Sequence, residues 1–288
     1  MVIQSYAKVN LALRVLNKRS DNYHNLITLF ERISLRDKII LKSRRDNLIK
    51  LSCNNPKVPL NESNLCFKAA KLLRDKFNTG KGLDIKIIKR IPVAAGLGGG
   101  SSNAAGILLG LNRLWRLNLG KTRLSRLAAK LGSDIPFFIY DAPFAIGCGR
   151  GEKVRVLNRL SKVKLWHILV VPKIHVSTPM IYKKWDSFCR LTKPASNVKI
   201  ITSVLVKNNP FSNPGLLFNS LEQVTLKLYP EVRRIKDYLA AQGLNNILMS
   251  GSGPAVFGIV SSAKAAATLV KKIRVEKRPW LAFAAQTV

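Results

Sequence analysis

The segment at residues 92–102 reads PVAAGLGGGSS and constrains this chain more than any other stretch. Apolar and polar residues alternate over residues 83–91, which predicts a half-buried strand ending at the proline. Apolar residues then recur at helical spacing over residues 104–114, with Ser102 or Asn103 as the expected N-cap. We therefore predict a glycine-rich loop that joins a strand to a helix.

Such a loop is suited to bind an anion. The backbone amides at a helix N-terminus are unpaired and carry partial positive charge, and glycines let them approach a phosphate closely. The loop lacks the Gly-Lys-Ser/Thr ending of a P-loop, and Ser101 stands where a dinucleotide fingerprint has its third glycine. The alternative is a turn that needs glycine for positive φ and binds nothing.

Three other segments of the chain combine with this loop into a family resemblance. Residues 7–11 (AKVNL) with 19–26 (RSDNYHNL), residues 131–138 (LGSDIPFF) and residues 249–257 (MSGSGPAVF) occur in this order. Together with the loop they resemble the GHMP small-molecule kinases, whose ATP loop the glycine segment is similar to. Asn22 stands where one branch of the family has glycine, and asparagine tolerates the left-handed backbone that this turn needs.

The resemblance implies an α+β fold of two domains, and the mixed order of strands and helices agrees with that class. It implies a ribosomal-S5-like N-terminal domain and a ferredoxin-like C-terminal domain, with ligands in the cleft between them. The sequence turns polar and basic at residues 155–164, so we place the domains at 1–155 and 156–288.

For the reaction centre, the resemblance implies that the glycine loop holds ATP and that Lys8 and Asp134 are catalytic. Asp134 would accept the proton of the reacting hydroxyl, and Lys8 would offset negative charge beside it. The alternatives are an ordinary N-cap for Asp134 and a solvent-facing lysine for Lys8. The expected ATP-binding residues are Pro92, Val93, Ala94, Ala95, Gly96, Leu97, Gly98, Gly99, Gly100, Ser101 and Ser102.

For the acceptor, the resemblance implies a substrate that carries cytidine diphosphate. An aromatic ring and an imidazole suit stacking on and hydrogen bonding to a cytosine, although half-buried packing is the alternative for each. The expected substrate-binding residues are Asn10, Tyr23, His24, Tyr182, Ser250, Gly251, Ser252 and Gly253. The implied activity is ATP-dependent phosphorylation of a hydroxyl with Mg²⁺, and another GHMP kinase specificity is the near alternative.

Composition limits the class of protein. Hydrophobic residues make up 47% of the 288 residues, enough for a packed core, and we find no apolar run of membrane-spanning length and no signal-peptide pattern. We therefore expect a soluble cytoplasmic protein. The irregular spacing of the four cysteines predicts reduced core residues rather than a disulfide framework or metal site. His167 and His175 are expected to be structural.

Charge is the other unusual property of the chain. Lys and Arg number 49 against 15 Asp and Glu, which gives a net charge of +34. The basic residues are scattered, without a basic tail or a stripe interleaved with aromatics. We expect attraction of anionic substrates and nonspecific affinity for nucleic acid at low salt. A nucleic-acid-binding protein on a kinase fold is the alternative from another functional class.

The patterns also predict the order of elements. Strands are expected at 1–16, 26–53, 83–92, 165–171, 246–249 and 255–260 and at the end of the chain. Helices are expected near 62–77, 103–116, 122–131, 178–187, 216–227, 230–242 and 263–274, with a connection rich in Pro and Asn at 208–215.

Overall fold

The computed structural model describes residues 1–188, 198–207 and 215–288. The strands are β1 (Val2–Lys18), β2 (His24–Arg44), β3 (Ile49–Cys53), β4 (Gly82–Ile88), β5 (Phe144–Gly149), β6 (Lys153–Val156), β7 (Trp166–Pro172), β8 (Phe218–Asn219), β9 (Ile247–Met249), β10 (Val256–Val260) and β11 (Trp280–Gln286). The α-helices are α1 (Leu65–Lys76), α2 (Gly99–Leu114), α3 (Lys121–Ala129), α4 (Ile135–Tyr140), α5 (Thr178–Phe188), α6 (Val198–Val206), α7 (Glu222–Leu228), α8 (Pro230–Ala241) and α9 (Ala263–Val275).

The first sheet is built around the long hairpin of β1 and β2. Its path runs β3-β4-β2-β1-β8, and β5 pairs with both β2 and β6. Most pairs are antiparallel, while β3 runs parallel to β4 and β8 parallel to β1. Helices α1 to α4 supply apolar side chains to a core shared with this sheet. The position of β1 next to β8 matters for function because it brings the late part of the chain beside Lys8 and Asn10.

The second sheet is antiparallel, in the order β11-β7-β10-β9. Apolar residues from this sheet and from α5, α7, α8 and α9 form a second core. A third core joins buried residues of β1 and β2 to buried residues of β7 and β10, including Leu29 and Phe257. Two sheets with helical layers and a shared apolar interior confirm the predicted α+β class. The boundary between residues 155 and 156 stays a prediction.

The start of α2 differs from its predicted position. The helix begins at Gly99, and its N-cap is Gly98 in the left-handed conformation, rather than Ser102 or Asn103. The Ser102 amide already donates to the Gly98 carbonyl at 2.8 Å, an ordinary bond of the first helical turn. The expectation of a side-chain cap was therefore wrong, because a positive φ at glycine turns the chain into the helix instead.

Several elements have no counterpart in the predicted order: β5, β6, α4, α6 and β8. Each is short, so the periodicity that marks longer elements has little length in which to show. The expected helix over 216–227 is observed as β8 followed by α7, and the expected strand over 26–53 is observed as β2 followed by β3, interrupted at residues 45–48. The other long elements agree with their predicted positions to within a few residues. Most of the connection expected at 208–215 lies outside the described residues.

The described cysteines differ in exposure. Cys53, Cys66 and Cys148 are free, and only Cys66 is buried, so the expectation of a core position is right for Cys66 alone among them. Burial raises the pKa of the Cys66 thiol to about 12, and a thiol rather than a thiolate is a poor nucleophile.

We expect Cys66 to resist alkylation in the folded protein. Peptide mapping after brief maleimide treatment at pH 8 should find Cys53 and Cys148 modified, while Cys66 reacts only after unfolding in denaturant. Modification of Cys66 at the rate of the other two would contradict the buried position.

Within the described ranges, no helix combines the length and apolarity needed to cross a membrane.

Candidate active site

A cavity of about 680 Å³ is bounded by β1, β2, the glycine loop, α5 and the Ser-Gly-Ser-Gly turn, and it brings many of the predicted site residues together. Its volume is in the range typical of small-molecule sites. Of the residues predicted from the sequence, the cavity is lined by Lys8, Asn10, Tyr23, His24, Gly96, Gly98, Asp134, Tyr182, Gly251 and Ser252. The remaining predicted residues, in the glycine loop and in the Ser-Gly-Ser-Gly turn, do not line the cavity.

The glycine loop has a conformation that only glycine adopts readily at two positions. Gly96 has φ of 77° and Gly98 has φ of 67°. A Cβ on Gly96 would lie 2.2 Å from the Ser250 carbonyl oxygen, and one on Gly98 would lie 2.9 Å from Cγ of Lys8. A Cβ on the buried Gly99 would lie 3.0 Å from Cγ2 of Ile91, so packing accounts for three of the four glycines without a ligand.

Gly100 has no such packing reason. It is exposed in the first turn of α2, and the nearest atom to its would-be Cβ is 3.8 Å away. A glycine in a helix costs about 0.5–1 kcal/mol relative to alanine. Close approach of a ligand to the backbone is a physical reason to accept that cost. The first turn of α2 thus offers amides without helical partners next to the open face of Gly100.

The remaining loop residues divide by burial. Side chains of Ala95 and Leu97 are buried in the core, so they can offer a ligand only their backbone. Val93 and Ala94 are exposed outside the cavity lining, with Pro92 half-buried beside them. Ser101 is half-exposed. Ser102 is buried, and its Oγ accepts a hydrogen bond from Ser5 at 2.7 Å, which leaves Ser101 as the more accessible hydroxyl.

A buried polar network supports the loop from below. Asp37 is fully buried and accepts hydrogen bonds from the backbone amides of Arg90 and Ile91, at 2.7 and 2.8 Å. Its other oxygen accepts from Nζ of Lys89 at 2.5 Å and from Nδ2 of Asn103 at 2.9 Å. The network ties the end of β4 to the first turns of α2, so the loop between them is held at both ends.

Lys8 and Asp134 meet in the cavity. Nζ of Lys8 lies 3.3 Å from Oδ2 of Asp134, and the lysine side chain is only 4% exposed against 34% for the aspartate. The Lys8 amide donates to the Leu97 carbonyl at 3.0 Å, which anchors β1 to the glycine loop. The solvent-facing alternative for Lys8 is therefore wrong.

Asp134 occupies the N-cap position of α4, but its side chain makes no capping hydrogen bond. The carboxylate is directed instead toward Lys8. An N-cap aspartate that leaves the helix amides without its oxygen is free for another role. This geometry favours a catalytic role for Asp134 over that of an ordinary N-cap.

Asn10 fixes the ammonium of Lys8 from the same face of β1. Its Oδ1 accepts from Lys8 Nζ at 2.7 Å, and its Nδ2 donates to Oγ1 of Thr28 at 2.8 Å. Thr28 in turn donates to the Ala12 carbonyl at 2.7 Å. Strand alternation predicted the shared face of Lys8 and Asn10. Asn10 thus positions Lys8.

At the other end of the cavity lies an aromatic group. His24 and Tyr182 stack with ring centroids 5.1 Å apart, and Trp185 meets the His24 ring edge-on at 5.8 Å. Tyr23 is 53% exposed, and the Arg150 guanidinium lies 4.8 Å from its ring centroid. The preceding Asn22 has φ of 63°, the left-handed conformation that asparagine tolerates.

The Ser-Gly-Ser-Gly turn closes the cavity from the second half of the chain. Ser250 is buried, and its Oγ donates to the Gly96 carbonyl at 3.0 Å, so the turn is fastened to the glycine loop. Oγ of Ser252 lies 2.7 Å from Oγ1 of Thr178. Gly253 has φ of 85° and packs against Met249, away from the cavity lining.

Sequence reasoning missed several residues that shape the site. Asn219 donates to the carbonyls of Met249 and Gly251, at 2.8 and 2.7 Å, and so holds the Ser-Gly-Ser-Gly turn against β1. Asp186 contacts His24, and Lys18 and Arg150 add positive charge to the lining. No local pattern marks these residues, because each acts on a partner that is distant in sequence.

Comparison with known proteins assigns the family. The models of the GHMP kinase N-terminal domain and of the GHMP kinase C-terminal domain match residues 64–142 and 206–276. The 4-diphosphocytidyl-2-C-methyl-D-erythritol kinase of Shouchella clausii is 43% identical over 259 residues, covering 90% of this chain and 85% of that protein. The kinase of the same name from Syntrophotalea carbinolica is 40% identical over 282 residues, covering 98% and 97%.

Solved structures agree with this assignment. A crystal structure of 4-(cytidine 5'-diphospho)-2C-methyl-D-erythritol kinase has a TM-score of 0.83 and 32% identity, and the match covers 99% of this chain and 98% of that one. The mevalonate kinase of Methanococcus jannaschii, with a TM-score of 0.70 and 17% identity over 100% and 98% of the two chains, shares the fold. The chain belongs to the GHMP kinases, and within them to the family of 4-diphosphocytidyl-2-C-methyl-D-erythritol kinases.

Proposed function

We propose that this kinase transfers the γ-phosphoryl group of ATP to the 2-hydroxyl of 4-diphosphocytidyl-2-C-methyl-D-erythritol. The observation that carries the proposal is the Lys8–Asp134 pair. It lies in one cavity between Gly96 and Gly98 of the glycine loop and the aromatic group around His24. We therefore place the phosphoryl donor at the glycine loop and the cytidine-bearing alcohol at the aromatic group, with the Asp134 carboxylate between them.

The donor half of the site is the glycine loop. Amides from Gly96 to Ser101 would bind the β- and γ-phosphates, as backbone donors at a helix start do in other phosphate sites. The half-exposed Ser101 adds a hydroxyl. The loop is fastened by the Asp37 network and by Ser250, so these donors need little reorganisation when charge develops on the phosphates.

Mg²⁺ is the metal we propose for this site. In kinases the ion is typically held by one or two carboxylates together with substrate phosphates and water. Within the described residues no cluster of three His, Cys, Asp or Glu side chains exists. The site therefore fits an ion held mainly by phosphate and water, which would offset phosphate charge and leave Asp134 for the acceptor hydroxyl.

The acceptor step assigns distinct roles to Asp134 and Lys8. The substrate hydroxyl oxygen forms a bond to the γ-phosphorus, the bond from that phosphorus to the ADP oxygen breaks, and Asp134 takes the hydroxyl proton. Lys8, held by Asn10, offsets negative charge on the transferring group.

Positive charge favours the anionic substrates. The cavity lining carries four cationic side chains, Lys8, Lys18, Arg150 and Lys183, and three carboxylates, Asp21, Asp134 and Asp186. The net charge of +34 surrounds this site with a positive field that would raise encounter rates with ATP and a nucleoside diphosphate. Nonspecific retention of nucleic acid at low salt would come from the same surface and be lost as salt rises.

A comparison of acceptor alcohols tests the proposal. ADP release in the presence of ATP and Mg²⁺ is measured with 4-diphosphocytidyl-2-C-methyl-D-erythritol, mevalonate and homoserine. We expect saturable turnover with the cytidine compound and a value of kcat/KM at least about a thousandfold below it for the others, because they leave the aromatic end of the cavity unfilled. Equal or higher efficiency with mevalonate or homoserine would contradict the proposal.

A further inference from the structure

Asp186 contacts the deepest ring of the aromatic group. Its Oδ1 lies 2.6 Å from Nε2 of His24, and its Oδ2 lies 3.3 Å from Nζ of Lys18. The His24 side chain is 4% exposed and that of Asp186 is 23% exposed, and both residues line the cavity. This carboxylate has no part in the phosphoryl transfer described above.

The contact determines which nitrogen of His24 carries a proton. Partial burial acts to raise the pKa of Asp186, but the hydrogen bonds and charges of His24 and Lys18 outweigh it and lower that pKa below its usual range. An ionised carboxylate has no proton to donate, so Nε2 of His24 must donate to it. In the neutral imidazole the other nitrogen, Nδ1, is then a hydrogen-bond acceptor.

Nδ1 has no partner in the described part of the chain. Among the described residues the His24 ring makes one hydrogen bond, to Asp186, while Tyr182 covers one face and Trp185 meets it edge-on. Nδ1 is not fully buried, and it belongs to a ring that lines the cavity. A ligand in the cavity can therefore donate a hydrogen bond to it, whereas a ligand acceptor placed there would leave both groups without a partner.

We infer that Asp186 is a positioning residue that fixes His24 with Nδ1 as acceptor, and that this selects a pyrimidine with an exocyclic amino group over one with a carbonyl. Cytosine has an amino donor at position 4, where uracil has a carbonyl acceptor. A uracil in the same pose would place its carbonyl oxygen at position 4 against Nδ1 of His24, and both are acceptors. The inference rests on the proposed function, since it assigns specificity to the cytidine end of that same site.

Two measurements test it. The first compares kcat/KM for 4-diphosphocytidyl-2-C-methyl-D-erythritol and its uridine counterpart. We expect the unaltered enzyme to prefer the cytidine compound at least about 100-fold, because a site built around a hydrogen bond strongly rejects an analogue that cannot make it. Asp186→Asn, whose amide can donate to Nε2 and so release the tautomer, should reduce the preference to about tenfold or less.

Asp237→Asn is the matched control. Asp237 is an exposed carboxylate on α8 outside the cavity lining, and this variant should keep the full preference. A lower kcat in Asp186→Asn with an unchanged ratio between the two substrates would indicate a merely structural role and overturn the inference.

The second measurement does not depend on activity. Long-range ¹H–¹⁵N correlation spectra of the three histidines, assigned with His24→Gln, report which ring nitrogen is protonated. In spectra recorded at a pH where the ring carries a single proton, we expect that proton on Nε2 of His24, and a single proton on Nδ1 would overturn the inference. An enzyme that phosphorylates neither compound would refute the proposed function, and the spectrum would still decide the state of His24.

Discussion

Asp134→Asn is expected to lower kcat by about a hundredfold to ten-thousandfold, the contribution typical of a positioned proton acceptor. Asparagine keeps the size of the side chain but cannot take the proton of the substrate hydroxyl. Its amide also removes the charge that faces Lys8 at 3.3 Å. The KM for ATP should change little, because the phosphates are held by the glycine loop. Steady-state ADP release with varied ATP measures both parameters.

Asp141→Asn is the matched control for this prediction. Asp141 caps the other end of α4, is exposed, and pairs with Arg32 outside the cavity. Its φ of 56° suits asparagine equally well, so the fold should be retained. This variant should keep the kcat of the unaltered enzyme. An Asp134→Asn enzyme with undiminished kcat would remove Asp134 from the mechanism.

Gly96→Ala is expected to lower the free energy of unfolding by several kcal/mol. It should also weaken the binding of ATP. An L-residue at φ of 77° costs about 1–2 kcal/mol. The added Cβ would lie 2.2 Å from the Ser250 carbonyl oxygen, and relief of such a clash typically costs a further ~1–3 kcal/mol. Because the Ser250 oxygen is a backbone atom that cannot rotate away, the glycine loop and the Ser-Gly-Ser-Gly turn must separate. Urea unfolding and equilibrium titration with an ATP analogue measure the two effects.

Gly120→Ala is the control for the effect of replacing a glycine by alanine where no clash results. Gly120 precedes α3 with φ of −69°, and nothing lies within 4 Å of its would-be Cβ. That variant should change the free energy of unfolding by no more than about 1 kcal/mol and leave ATP affinity intact. If Gly96→Ala unfolds at the same urea concentration as the unaltered protein, the close packing of the two loops is refuted.

The sequence predicts much of this molecule where its signals are local. The glycine loop, the long strands β1 and β2, and the helical periodicity of α2 are visible in residue order, because periodicity and glycine reflect backbone geometry at the residue itself. The pairing of Lys8 with Asp134 came from the family resemblance, since 126 positions separate them along the chain. Strand alternation alone placed Asn10 on the face of Lys8.

What the sequence could not supply depends on contacts between distant segments. Asp186 contacts His24, from which it is separated by 162 positions along the chain. Asn219 holds the turn at Gly251, which lies 32 positions further along. A lone aspartate in a helix and a lone asparagine in a two-residue strand carry no pattern. The start of α2 was misplaced for a different reason. Serine is usually the better N-cap, but here the positive φ of Gly98 turns the chain into the helix.

The central claim is that one cavity places the γ-phosphate at the glycine loop and the acceptor hydroxyl at Asp134. A crystal structure of the complex with a nonhydrolysable ATP analogue, Mg²⁺ and 4-diphosphocytidyl-2-C-methyl-D-erythritol tests it directly. We predict the terminal phosphates on the amides of Gly96 to Ser101, the 2-hydroxyl within hydrogen-bonding distance of the Asp134 carboxylate, and the cytosine beside His24. A triphosphate bound away from this loop, or a 2-hydroxyl out of reach of Asp134, would contradict the account.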